Sequence, residues 1–283
     1  MTDEERYFFD LCGYLIVPEA LSPQEVHDLN DAIDANQDKL TSQQTSLAFG
    51  SPKLAGTSRR KKLSNLFTMP PPWGQAFRSL LAHPRINPYL NEILGPGFRL
   101  DHAHTVLVQE TGCEGFTLHG STGPSFDPNQ YYIVRDRKMH NGLTVVAWQT
   151  MDVKASDGGF CLVPGSHKSN FPMPAALCRN ELYPELIKPI AMKAGDAVIF
   201  TEAVLHGTLP WTSPQPRRTI LSRYTAANLA YVPYRFDQTL AAVAGELTDT
   251  QRAVLEPPYH QHLDRPVIAD GPDSQERCDD RSD

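Results

Sequence analysis

The apolar positions of this chain follow two rhythms, and the change between them falls near residue 98. In the first part the spacing is mostly helical. Tyr7, Phe8 and Leu11 share one face of a helix that starts at Thr2-Asp3-Glu4-Glu5, where Thr2 and Glu5 have capping-box spacing, and stops near Gly13. Tyr14-Leu15-Ile16-Val17 is a strand that ends at Pro18. Ser22-Pro23-Gln24-Glu25 opens a second helix, with Ser as cap, Pro in the first turn and Glu three residues on; Val26, Leu29 and Ile33 mark its face. From about 37 to 73 the rhythm is lost. This stretch is polar, holds Pro70-Pro71-Pro72, and predicts a long loop over the surface or across a pocket mouth. Two short helices follow at 75–83 and 86–94.

Beyond 98 the pattern becomes short β-type runs broken by Gly and Pro: 98–109, 115–119, 143–153, 159–163, 189–192, 197–201 and 218–224. Frequent turns between short strands predict a sandwich or barrel. Two long loops, 120–142 and 166–188, interrupt it, and loops of that length on a β scaffold usually carry function. One or two helices are expected over 236–255. We read residues 1–269 as a single domain and the charged segment 270–283 as a disordered tail.

Composition narrows the classes. With 283 residues, 40% of them hydrophobic, a packed core is expected, and a net charge of −7 argues against binding nucleic acid by bulk attraction. Cys12, Cys113, Cys161, Cys178 and Cys278 form no CxxC pair, so neither a disulfide scaffold nor a structural zinc site is expected and a reducing cytoplasm fits. The acidic N-terminus lacks the basic-then-apolar pattern of a secretory signal, and no apolar run approaches the roughly 18 residues of a membrane span. Neither a membrane nor a nucleic acid is therefore expected as a partner.

Candidate chemistry lies between Phe116 and Tyr224. His119 ends one β-type run, and His206 lies 87 residues later, after the run Val198-Ile199-Phe200. Strands that face each other in a barrel can bring such residues to one metal, although either histidine alone is more often structural. Arg217-Arg218 begins the last strand, where alternation lets one of the two face inward. Arg59-Arg60-Lys61-Lys62 reads first as a solvated charge run and second as a contact to an anionic substrate. His102 and His104 share a strand face. His140 and Tyr131-Tyr132, in a long loop, are candidate substrate contacts. Trp148 and Phe160 read as core, His167 as structural, and His260 and His262 as without specific role.

Taken together, these motifs resemble the phytanoyl-CoA dioxygenase-like branch of the Fe(II)/2-oxoglutarate oxygenases. The resemblance runs through Asp10-Leu11-Cys12-Gly13-Tyr14-Leu15-Ile16-Val17-Pro18 and Leu21-Ser22-Pro23-Gln24-Glu25-Val26. It resumes at His119 and at Gly159 to His167, with its Pro-Gly-Ser-His turn, and continues through Ala194-Gly195-Asp196, His206-Gly207 and Pro216-Arg217. It implies a mainly β fold with flanking α-helices, a double-stranded β-helix of the jelly-roll or cupin-like kind. It implies Fe(II), 2-oxoglutarate and O₂, with His119 and His206 as metal ligands, acting on a C–H bond of a small molecule. The family places an Arg about eleven residues after the distal His to clamp the far carboxylate of 2-oxoglutarate, which selects Arg217, with Arg218 as alternative.

One position departs from the family pattern. Where His-x-Asp supplies a carboxylate, this chain has His119-Gly120-Ser121. Three arrangements follow. Another carboxylate substitutes (Asp127, then Glu110 and Asp101); the position stays open and takes chloride, as in the related iron halogenases; or the site is silent and the barrel only binds.

Overall fold

The computed structural model describes residues 1–120, 127–233 and 236–259. Ser121, His260, His262 and the segment 270–283 lie outside these residues.

Helix α1 (Asp3–Cys12) has the Thr2–Glu5 capping box and ends at Gly13, whose φ of 80° closes it with a left-handed cap. Strand β1 (Tyr14–Val17) leads to α2 (Pro23–Asp34), capped by Ser22 and Glu25. The stretch read as loop holds two short strands, β2 (Thr41–Ser42) and β3 (Lys61–Leu63). Helices α3 (Trp73–Arg78) and α4 (Asn87–Leu94) precede the long β4 (Arg99–Gln109). Then come β5 (Phe116–His119), β6 (Tyr132–Arg135), β7 (Lys138–Asn141), β8 (Thr144–Gln149) and β9 (Gly159–Leu162). The chain continues with α5 (Ala175–Cys178), β10 (Lys188–Pro189), β11 (Ala197–Thr201), β12 (His206–Leu209) and β13 (Arg217–Thr225). Helices α6 (Asp237–Val243) and α7 (Asp249–Val254) follow. The loop expected over 120–142 thus contains a hairpin, β6–β7, whose residues are mostly exposed on both faces and so show no alternation in sequence.

The named strands pair antiparallel in two facing sheets and the separate hairpin. The larger sheet has the order β1-β11-β8-β13-β4-β3-β2 and the smaller β10-β9-β12-β5, the two layers of a double-stranded β-helix. Pleating assigns each strand two jobs. Leu15, Val17, Val106, Val108, Val146, Trp148, Ile199 and Ile220 point outward into a core made with α2, α3 and α4. Tyr14, Val145, Ala147, Val198 and Phe200 point inward and meet Phe160 and Leu162 of the smaller sheet. That apolar packing fills one half of the space between the sheets and leaves a polar cavity in the other.

Candidate metal centre

His119 ends β5 and His206 begins β12, and the two are directly opposed across the ladder. Their ring centroids are 4.1 Å apart. His206 is buried and His119 half-buried. Strand pairing alone thus brings together residues 87 positions apart.

Each ring is held the same way. Nδ1–H of His119 donates to the carbonyl of Thr117 at 3.0 Å, and Nδ1–H of His206 donates to the carbonyl of Val204 at 2.8 Å. A carbonyl can only accept, so in the neutral ring the proton sits on Nδ1 and the Nε2 lone pair is free. This is how an imidazole is prepared for a cation. Burial, and then the neighbouring His206, push the His119 pKa down to about 3; the ring stays neutral at physiological pH.

The residue that sequence reasoning missed is Glu202. It lies in the turn between β11 and β12, buried, with Oε2 3.4 Å from Nε2 of His206. His119, Glu202 and His206 each offer a donor atom within 4.8 Å of the others, and among the described residues they form the one such cluster of metal-ligating side chains. Burial raises the Glu202 carboxyl, but its charged surroundings, Arg223 among them, hold it below the ordinary range. The three carboxylates proposed from sequence are elsewhere. Asp127 Oδ1 accepts from the backbone N–H of Asn129, Glu110 pairs with Lys61 at the surface, and Asp101 pairs with Arg99 and His102. Nearness to His119 along the chain points to these three, whereas the spatial neighbour of β5 is β12.

The cluster faces a cavity of about 300 Å³ between the sheets. Phe116, Phe160, Phe200, Val145, Ala147 and Leu221 supply apolar wall. Its charged lining, among the described residues, is four cations (Arg60, Lys62, Arg217, Arg223) against the single carboxylate of Glu202, although the whole chain is acidic. Arg217 faces in. It is 3% exposed, Nη1 donates to Gln109 Oε1 at 2.7 Å, and Nε is buried without a partner among the described residues. Burial lowers its pKa to about 10, so it remains a cation at neutral pH. Arg218, one residue on, faces out to Asp34 and Asn30 of α2. Gly159 makes room for Arg217. Its φ is +77°, and a Cβ there would stand 3.0 Å from Arg217 Cδ.

The basic run beside β3 also alternates. Arg60 and Lys62 line the cavity, while Lys61 pairs with Glu110 and Leu63 enters the outer core. The Arg60 guanidinium lies 5.1 Å from the centre of the Phe116 ring, and its Nε is buried without a partner among the described residues. His102 lines the cavity as well, but His104 does not share its face: the β4–β13 register shifts between His102 and Thr105, and His104 is buried against Phe67, both ring nitrogens without a partner among the described residues. His140 and Tyr131 do not line the cavity, and Tyr132 is instead tied by its hydroxyl to Asp10. Nε2–H of His167 donates to the carbonyl of Asp10 at 3.0 Å, fixing α1 to the Pro164–His167 turn, and Ser166 Oγ of that turn accepts the backbone N–H of Leu205, just before His206.

Two facing antiparallel sheets with a histidine pair on the wall of the cavity between them define a double-stranded β-helix protein with a candidate metal centre. The chain belongs to the Phytanoyl-CoA dioxygenase (PhyH) family, whose pattern matches residues 9–219. Among curated proteins, none matches the sequence significantly. Solved structures share the fold. HygX from Streptomyces hygroscopicus with nickel and 2-oxoglutarate bound is 19% identical with a TM-score of 0.67, the match covering 94% of this chain and 98% of that one. The 2-oxoglutarate-dependent carbocyclase SnoK from nogalamycin biosynthesis is 19% identical, TM-score 0.60, covering 85% and 90%. The epimerase SnoN, in complex with Fe³⁺, 2-oxoglutarate and nogalamycin RO, is 18% identical, TM-score 0.58, covering 82% and 86%. Among the described residues no helix is long and apolar enough to cross a membrane.

Proposed function

We propose that the protein is a non-haem Fe(II)- and 2-oxoglutarate-dependent oxygenase of the cytoplasm that oxidises a C–H bond of a small molecule. His119 and His206 hold the metal and Arg217 anchors 2-oxoglutarate. One observation carries the reading: two imidazoles, both with Nε2 freed by an Nδ1–H bond, meet at the wall of a cavity that also contains a buried, half-satisfied guanidinium. The residues present fit the group. Imidazole suits a ferrous ion, and the fork of an arginine suits a carboxylate.

When bound at His119 and His206, Fe(II) with 2-oxoglutarate and O₂ would supply the oxidising power, one oxygen atom ending in succinate, formed with CO₂, and the other in the substrate. The chain's own residues do the rest. Arg217, braced by Gln109, offers the N–H donors that fix the co-substrate's far carboxylate. Phe116, Phe160 and Phe200 exclude water beside the histidines, which limits side reactions. Family membership supports the chemistry, and HygX and SnoN, which hold hygromycin B and nogalamycin RO in their own structures, support a small-molecule substrate.

Succinate formation tests the proposal. Aerobic protein with Fe(II) and 2-oxoglutarate should release succinate, faster in the presence of a substrate. Protein that binds no Fe(II), and releases no succinate across a broad panel of small molecules, refutes it.

A further inference from the structure

We infer that Glu202 is the third protein ligand of the metal, so that the carboxylate missing beside His119 is supplied from beside His206. The inference rests on the metal-centre reading above.

The first argument is distance. Two donors each about 2.1 Å from one ion at a right angle lie about 3 Å apart. Glu202 Oε2 and His206 Nε2 are already 3.4 Å apart, and no pair of donors in the cluster exceeds 4.8 Å. Side-chain rotations close the remainder.

The second argument is the sign of what converges. With Nδ1 of both rings committed to carbonyls, the atoms that face one another are two Nε2 nitrogens, which in the neutral rings carry lone pairs, and a carboxylate oxygen. All three are acceptors. Buried acceptors without a shared donor repel, and a cation among them removes the repulsion. Arg223 does not serve. Its Nε lies 3.3 Å from Oε1, the other oxygen of Glu202, which leaves Oε2 for the histidines.

The third argument is rigidity. The turn that carries Glu202 is held at each residue. Thr201 Oγ1 donates to Asn141 Oδ1 at 2.7 Å and accepts the N–H of Ala203, while Val204 N–H donates to the carbonyl of Thr201. The N–H of Glu202 itself donates to Leu143. A carboxylate pinned in this way is positioned before any metal arrives.

The relocation has a consequence. A centre with two histidines and one carboxylate leaves no protein position vacant for a halide, so the chemistry is oxidation rather than chlorination.

Mn(II) binding to the full chain tests this without requiring turnover. Titration followed by EPR or calorimetry would compare the wild type with E202Q, E202A and S121A. Loss of an outer hydrogen bond to a ligand costs about 10- to 100-fold in metal affinity, so loss of the ligand itself should weaken Mn(II) binding by about 100-fold or more. S121A should bind within about threefold of wild type, and formate should restore binding to E202A by refilling the vacated position. Metal-free melting curves show whether each variant folds, and E202Q, nearly isosteric, carries the test if E202A does not. Wild-type binding matched by both Glu202 variants overturns the inference and leaves the metal-centre reading standing. Weak binding by S121A alone also overturns it. Absence of Mn(II), Fe(II) and Ni(II) binding by the wild type removes the metal-centre reading, and this inference with it.

Discussion

Replacing Arg217 by alanine should separate co-substrate binding from folding. In the folded protein Arg217 is a buried cation with one neutral partner, Gln109, and an unpartnered Nε. Burial lowers its pKa from the ordinary guanidinium range to about 10, a cost to the charged form of about 3 kcal/mol. Truncation removes that cost but orphans Gln109 Oε1, worth about 1–3 kcal/mol in the other direction. These contributions offset, so stability without ligand should change little. Binding of 2-oxoglutarate should change greatly. Two charge-assisted bonds to a carboxylate contribute about 3 kcal/mol or more, which is a factor of about 100 in Kd. At a concentration 100 times the wild-type Kd, 2-oxoglutarate should stabilise the metal-loaded wild type by about 2.7 kcal/mol and Arg217→Ala by about 0.4 kcal/mol. In a protein of this size that is a rise in Tm of roughly 5–10 °C against about 1 °C. Arg218→Ala is the control, since Arg218 faces Asp34 on the other side of the sheet; it should keep the wild-type rise. Equal rises for wild type and Arg217→Ala, or loss of the rise in Arg218→Ala alone, would refute the assignment of the clamp and the pleat argument behind it.

Three further substitutions probe other parts of the structure. A Cβ on Gly207 would stand 2.5 Å from the carbonyl oxygen of Phe116, so Gly207→Ala should force β5 from β12, cost about 1–3 kcal/mol and abolish the Mn(II)-induced rise in Tm. Among the described residues His104 has no partner at either nitrogen, and burial pushes its pKa down to about 3. The unfolded chain, with a value near 6.5, therefore binds more protons, and stability is lost as pH falls below about 6.5; His104→Leu should recover about 2 kcal/mol at pH 5 relative to pH 7.5, read from urea midpoints. Trp148 is fully buried in the outer core and donates to Ser222 Oγ at 3.0 Å, so Trp148→Ala should cost about 3–5 kcal/mol in denaturant unfolding.

The parts of this site that are legible in the sequence are those set by period and pairing. A run of strands with turn signals predicts the two-layer barrel, and strand alternation requires that Arg217 and Arg218 face opposite ways, as they do. What is hidden is what a turn does in three dimensions. Glu202 is a lone acid between Val198-Ile199-Phe200 and Ala203-Val204-Leu205, and an acid in such apolar company is the one local sign that it is buried for a purpose. Its spacing of four from His206 suggests a helical pair, whereas here a tight turn between β11 and β12 brings the two together. The basic run near residue 60 misleads in the opposite way. Four consecutive charged residues look solvated, but the strand that begins at Lys61 turns Arg60 and Lys62 to the cavity and Lys61 to the surface. Both cases share a cause. Charges placed between sheets are chosen for a ligand rather than for the core, so they break the hydrophobic pattern that would otherwise reveal the element carrying them. In this chain the interruptions of the β pattern are therefore the better guide to the cavity. Glu202, Arg217 and Arg223 each interrupt an otherwise apolar or small inward row, and all three line the same space.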